Sequence, residues 1–95
     1  MRIVVWSRPQ EQEQGLQGRP WIEPDTLFVF PGARAGGVFH SRNVIEPFDI
    51  GFLRADYGLI GYRTMYPEGD VVVLPPGTAC VIEAKAGTLR GLVSG

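Results

Sequence analysis

Apolar residues fall in short blocks along this chain, each closed by glycine, proline or a charge before it reaches helical length. Arg2-Ile3-Val4-Val5-Trp6 comes first. Thr26 to Phe30 ends at the turn Pro31-Gly32, and Gly37 to Ser41, Pro47 to Arg54, Leu59 to Met65, Asp70 to Leu74 and Thr78 to Ala84 follow. Blocks rich in β-branched and aromatic residues and bounded by turn formers are expected to be strands. Ala55-Asp56-Tyr57-Gly58 predicts a tight turn, with Gly58 able to take positive φ, so the blocks on either side of it should form a hairpin. One helix is expected over Pro9 to Leu16. Ser7 would cap it, Gln10 stands three residues on as in a capping box, Pro9 suits the first turn, and Gly18 and Pro20 end it. Thr88 to Leu92 is a second, shorter helical stretch. Turn signals recurring every ~8 to 12 residues predict a mainly β fold, a compact β-sandwich or partly open barrel with one or two short helices.

Ninety-five residues make one domain, 1–95, because a chain of this size buries only about two-thirds of its unfolded surface and cannot divide that between two cores. Ten acidic side chains stand against nine basic ones, and the arginines are scattered singly, so no basic stripe exists to neutralise a row of phosphates. Nucleic acid is therefore not expected as a partner. No apolar run approaches the ~18 to 20 residues of a membrane span, and the N-terminal block stops at Ser7, short of a signal peptide. A cytoplasmic protein without membrane contact is the expectation. The single Cys80 cannot form an internal disulfide and, inside Ala79-Cys80-Val81-Ile82, is expected to be a small buried thiol. One histidine excludes a metal site of several imidazoles, and there is no phosphate-binding loop, dinucleotide fingerprint or paired-cysteine motif. Neither a cofactor nor a metal is expected.

The chemistry-bearing residues concentrate in Arg42-Asn43-Val44-Ile45-Glu46-Pro47-Phe48-Asp49-Ile50. Asn43 and Asp49 lie six apart with Pro47 between them, so a bend can bring an amide and a carboxylate to one end of the sheet. Arg19 or Arg42 would supply a planar fork for a carboxylate or phosphate. Arg19, Arg42, Asn43 and Asp49 are thus the candidate binding set for a small anionic or polar ligand. The competing expectation is structural, with Asp49 satisfying loose backbone N–H groups. His40 and Ser41 are neighbours, and on a strand they point to opposite faces, which argues against a serine–histidine pair. Glu46, Asp49 and Glu83 can be nominated as paired carboxylates, but any ten acids offer such combinations. The glycine-rich stretch from Gly32 to Gly37 is explained by a hairpin loop without a phosphate. Most of Phe28, Phe30, Phe39, Phe48 and Phe52 should be core. Trp21 beside Arg19-Pro20 is placed to stack on a ligand or on the arginine itself. Val71-Val72-Val73, between Pro67 and Pro75, has the character of an edge strand through which a homo-oligomer would assemble.

Read together, Gly15-Leu16-Gln17-Gly18-Arg19, Thr26-Leu27-Phe28-Val29-Phe30, Arg42-Asn43 to Pro47-Phe48-Asp49-Ile50, and Val81-Ile82-Glu83-Ala84-Lys85-Ala86-Gly87-Thr88-Leu89 resemble, in order and spacing, the pattern of the family called domain of unknown function 192. The resemblance runs nearly the full length. It implies a small β-sandwich-like domain with short helices and no settled activity. The chain departs from that pattern with His40 and Ser41 where the family has Trp and Met, and with Val44 where it has Thr. The functional expectation is a non-catalytic small-ligand-binding or interaction domain using polar loops at one end of a sandwich. The alternatives are a small hydrolase with Asp49 or His40 as acid or base, and a structural subunit assembling through a sheet edge.

Overall fold

The computed structural model describes residues 1–94. Among them, seven strands and two short helices follow in the order β1 (Arg2–Val5), α1 (Pro9–Gln14), β2 (Thr26–Pro31), β3 (Val38–His40), β4 (Phe48–Leu53), β5 (Leu59–Met65), β6 (Val71–Val73), β7 (Cys80–Lys85) and α2 (Thr88–Ser94). The protein is mainly β. Five strands form one sheet in the order β1-β2-β7-β4-β5, and β3 and β6 form a separate two-stranded ribbon. All pairings are antiparallel except β1 with β2, which run parallel. A parallel pair needs a crossover, and the segment containing α1 supplies it.

Register decides which side chains share a face. Val4, Phe28, Glu83, Ile50 and Arg63 stand side by side across all five strands. Because side chains alternate along a strand, Phe30, Phe52 and Val81 on one flank and Phe48, Met65 and Lys85 on the other belong to the same face. This face carries the main core. Trp6 stacks on Phe28 with ring centroids 4.6 Å apart and meets Phe30 edge-on at 5.3 Å. From the ribbon, Phe39 packs edge-on against Phe30 at 5.2 Å, and Val72, its cross-strand partner, is also buried. Leu16, Ile22, Val44 and Leu74 complete the cluster. The ribbon alternates cleanly, since Val38, Val71 and Val73 on its outer side are exposed.

The opposite face holds Asp49, Gly51, Ile82 and Ala84 and is crossed by α2. That approach is close. A Cβ on Gly51 would lie 2.9 Å from Ile82 and 3.0 Å from Leu89, so only glycine lets the helix seat here.

The expected elements are found with shifted ends. The first helix is capped by Arg8 rather than Ser7, with the Arg8 backbone N–H donating to Glu11 Oε1 at 3.1 Å, and it ends at Gln14 because Gly15 leaves helical conformation. The β4–β5 hairpin closes through Arg54 and Gly58, but the residue with positive φ is Tyr57, at 68°, not Gly58. At Gly58 the Asp56 carboxylate and the Arg54 guanidinium come within 3.0 and 3.1 Å of where a Cβ would sit, so these exposed side chains would shift to admit one. Ser41 is fully buried and structural. Its hydroxyl donates to the Tyr66 carbonyl at 2.7 Å and accepts from the Asp70 N–H at 2.9 Å, tying the ribbon to the end of β5.

Candidate functional site

The four residues singled out from the sequence do not converge. Asp49 stands on the α2 face. Its Oδ1 accepts from the Thr64 hydroxyl at 2.8 Å, and its Oδ2 accepts from the backbone N–H groups of Gly87 at 2.9 Å and Leu89 at 3.0 Å. The carboxylate thus satisfies orphan donors at the start of α2 from a neighbouring strand. Arg19 lies across the sheet from it. Its guanidinium sits over the rings of Trp6 and Phe28, at 5.3 and 5.0 Å from their centroids, and is paired with Glu23. Trp21, the expected partner of Arg19, is instead covered by Lys85, whose Nζ is 5.9 Å from the ring centre and also bonds Glu46 at 3.0 Å. Arg42 is exposed, and its backbone N–H donates to His40 Nδ1 at 3.1 Å. Asn43 adopts positive φ. Its carbonyl accepts from the Gly18 N–H at 2.9 Å and its side-chain amide reaches Gln17 Oε1 at 3.4 Å, so it fixes the turn after α1.

That turn walls the most distinctive cavity among the described residues. A cleft of about 380 Å³ opens between α1 and its following turn, the β2–β3 connection, the ribbon and the main sheet face. Phe30, Phe39, Phe48, Val44 and Leu74 make its walls, Glu13, Arg34 and His40 stand at its rim, and Glu83 contributes the acid. One wall is pinned by Gln12, whose amide donates to the carbonyls of Trp6 at 2.9 Å and Pro31 at 3.1 Å. On the far side of α1, Trp6, Gln17 and Arg19 line a second recess of about 500 Å³.

Glu83 is the unusual group. It occupies the centre of β7, flanked in register by Phe28 and Ile50, and is 4% exposed. Burial pushes its carboxyl up from 4.5 to about 8, and no cation or hydrogen bond offsets the effect. Among the described residues no sealed polar side-chain atom lacks a partner, so the Glu83 oxygens reach solvent, through the cleft that the residue lines. At neutral pH the group is a neutral acid, able to donate one O–H and to accept through its carbonyl. Its trace in the sequence is the one charge inside Cys80-Val81-Ile82-Glu83-Ala84. Cys80 is buried, which raises its thiol above the usual range. The described residues hold no group of three or more potential metal ligands.

No family profile matches the chain, and no curated protein does. Two solved structures share its fold. One is a candidate transcription regulator from Sinorhizobium meliloti 1021, 23% identical, with a TM-score of 0.82 over 96% of this chain and 73% of that one. The other is a protein of unknown function from Novosphingobium aromaticivorans DSM 12444, 22% identical, with a TM-score of 0.81 over 98% of this chain and 69% of that one. No helix among the described residues is long and apolar enough to cross a membrane.

Proposed function

We propose that this domain is a non-catalytic binding module whose ligand enters the cleft above Glu83. The observation that supports it is a buried carboxyl with no hydrogen-bond partner in the protein, lining a cleft whose interior carries phenylalanines and aliphatic side chains and whose mouth carries Gln12, Glu13, Gln17, Arg34 and His40. Glu83 makes no hydrogen bond within the protein and its oxygens open onto the cleft, so a ligand entering there has a free donor and acceptor to meet. The volume suits a small organic molecule, for which pockets run from roughly 300 to 1,000 Å³. Arg42 at one end of the ribbon and Asn43 beneath the turn serve this reading as flanking and positioning residues, while Asp49 and Arg19 hold the frame. On the same reading the chain's resemblance to the domain of unknown function 192 family extends to Glu83, the acid of its Val81 to Leu89 motif. Nucleic acid is not proposed as a partner, since Arg19, Arg63 and Lys85 are already paired with Glu23, Asp70 and Glu46.

A thermal-shift screen of small organic molecules on the wild type and on Ala33→Trp tests this. Ala33 lines the cleft and is only half-buried, so an indole there fills the space without entering the core. Compounds should stabilise the wild type and not the variant; equal responses from both would remove the cleft from the account.

A second reading is assembly of copies through the ribbon, supported by Val38, Val71 and Val73 at 60%, 51% and 60% exposure on one side of it. Light scattering across a concentration series would show a rising mass that Val71→Lys abolishes.

A further inference from the structure

Resting on the reading of the cleft as a binding site, we infer that its ligand is an uncharged, largely apolar molecule bearing an amide or comparable carbonyl group, anchored by the carboxyl of Glu83 at the base of the cleft. The interior walls are apolar, and the charged side chains of the cleft, Glu13 and Arg34, stand exposed at its mouth. Phe30, Phe39, Phe48, Val44 and Leu74 surround the space, and the side chains beside Glu83 in the sheet are Phe28 and Ile50. A charged headgroup entering here would shed its water and find one neutral acid in return, a poor exchange in an apolar cavity. An amide matches the neutral carboxyl at both points, accepting its O–H and donating to its carbonyl oxygen.

Other ionisable groups around the site do not change this balance. Glu13 on α1 and Arg34 in the β2–β3 connection are exposed at the rim, and His40 on β3 is half-buried there. On the sheet face itself, Arg63 of β5 is held by Asp70 and Lys85 of β7 by Glu46, while Arg19, above Phe28, is held by Glu23. In register beside Glu83, β2 and β4 present Phe28 and Ile50. Binding should therefore follow the protonation of Glu83. Affinity should be constant below pH 7 and decline above pH 8, by about tenfold for each further unit, as the acid ionises.

Calorimetric titration of the full chain with octanamide, octylammonium and octanoate tests the assignment, at pH 6.5, 7.5 and 9.5. Octanamide should bind most tightly and weaken about thirtyfold between pH 7.5 and 9.5. Glu83→Gln, which keeps the shape and a donor, should bind octanamide within about threefold of the wild type at pH 7.5 and show no change at pH 9.5. Tighter binding of either charged probe, or octanamide binding that ignores both pH and the substitution, would overturn the ligand class while leaving the cleft as a site. Binding of none of the three, with circular dichroism confirming a folded protein, would overturn the binding site itself. The wild-type pH series stands whether or not the variant folds.

Discussion

Two buried carboxyls sit almost back to back in this sheet and live under opposite conditions. Asp49 faces α2 and accepts three hydrogen bonds, two of them from the backbone at the start of that helix. Glu83, on the adjoining strand beside Ile50, faces the cleft and has only apolar neighbours in register. Burial is nearly equal, at 1% and 4% exposure, so burial does not distinguish them. Partners do. A carboxylate whose lone pairs are filled by fixed donors is part of the scaffold, whereas Glu83 has no partner within the protein, which is what the proposed cleft ligand would supply.

The largest expected contrast is in pH dependence. Between pH 4.5 and about 8 the folded chain keeps the Glu83 proton that the unfolded chain has already released. Stability should therefore be highest below that window, decline as pH rises through it, and level off above. Each unit of pKa difference corresponds to about 1.4 kcal/mol, so the whole decline is on the order of 5 kcal/mol at most. Glu83→Gln removes it, and urea unfolding of that variant should give a nearly flat profile and higher stability than the wild type at pH 8.5. On the other face the sign reverses. Asp49→Ala should cost about 3 kcal/mol at pH 7, because it strands the Thr64 hydroxyl and the Gly87 and Leu89 amides, and hydrogen exchange should show α2 opening first. Gly51→Ala should follow at about 2 kcal/mol, since Ile82 and Leu89 leave no room for its methyl group. Arg19→Ala is the smallest, at about 1 kcal/mol or less by thermal melting, because its pairing with Glu23 is partly exposed and only its stacking over Trp6 and Phe28 is lost from the core.

Local pattern made most of the elements legible. Strands such as Phe48–Leu53 and Cys80–Lys85 announce themselves through β-branched and aromatic runs bounded by turns, and the β4–β5 hairpin through the turn residues Ala55-Asp56-Tyr57-Gly58. The parallel pairing of β1 with β2 was not legible, because it depends on where the α1 crossover packs Trp6, Leu16 and Ile22, which no local spacing encodes. The same limit governed the site. Asn43 and Asp49 are close in sequence, but the strand between Phe48 and Leu53 turns Asp49 to the α2 face, away from the turn that Asn43 holds. Glu83 gains its meaning only when β2 and β4 close in on either side of it. Its visible trace was a lone acid in an apolar strand, a pattern worth weighing by itself.

Carbon-13 NMR titration of the Glu83 side-chain carboxyl, assigned by its disappearance in Glu83→Gln, tests the central claim most directly. The account predicts an inflection near pH 8 in the free protein. An inflection near 4.5, the value of an ordinary glutamate, would mean that the acid on the cleft face is solvated or already partnered, and would contradict the account.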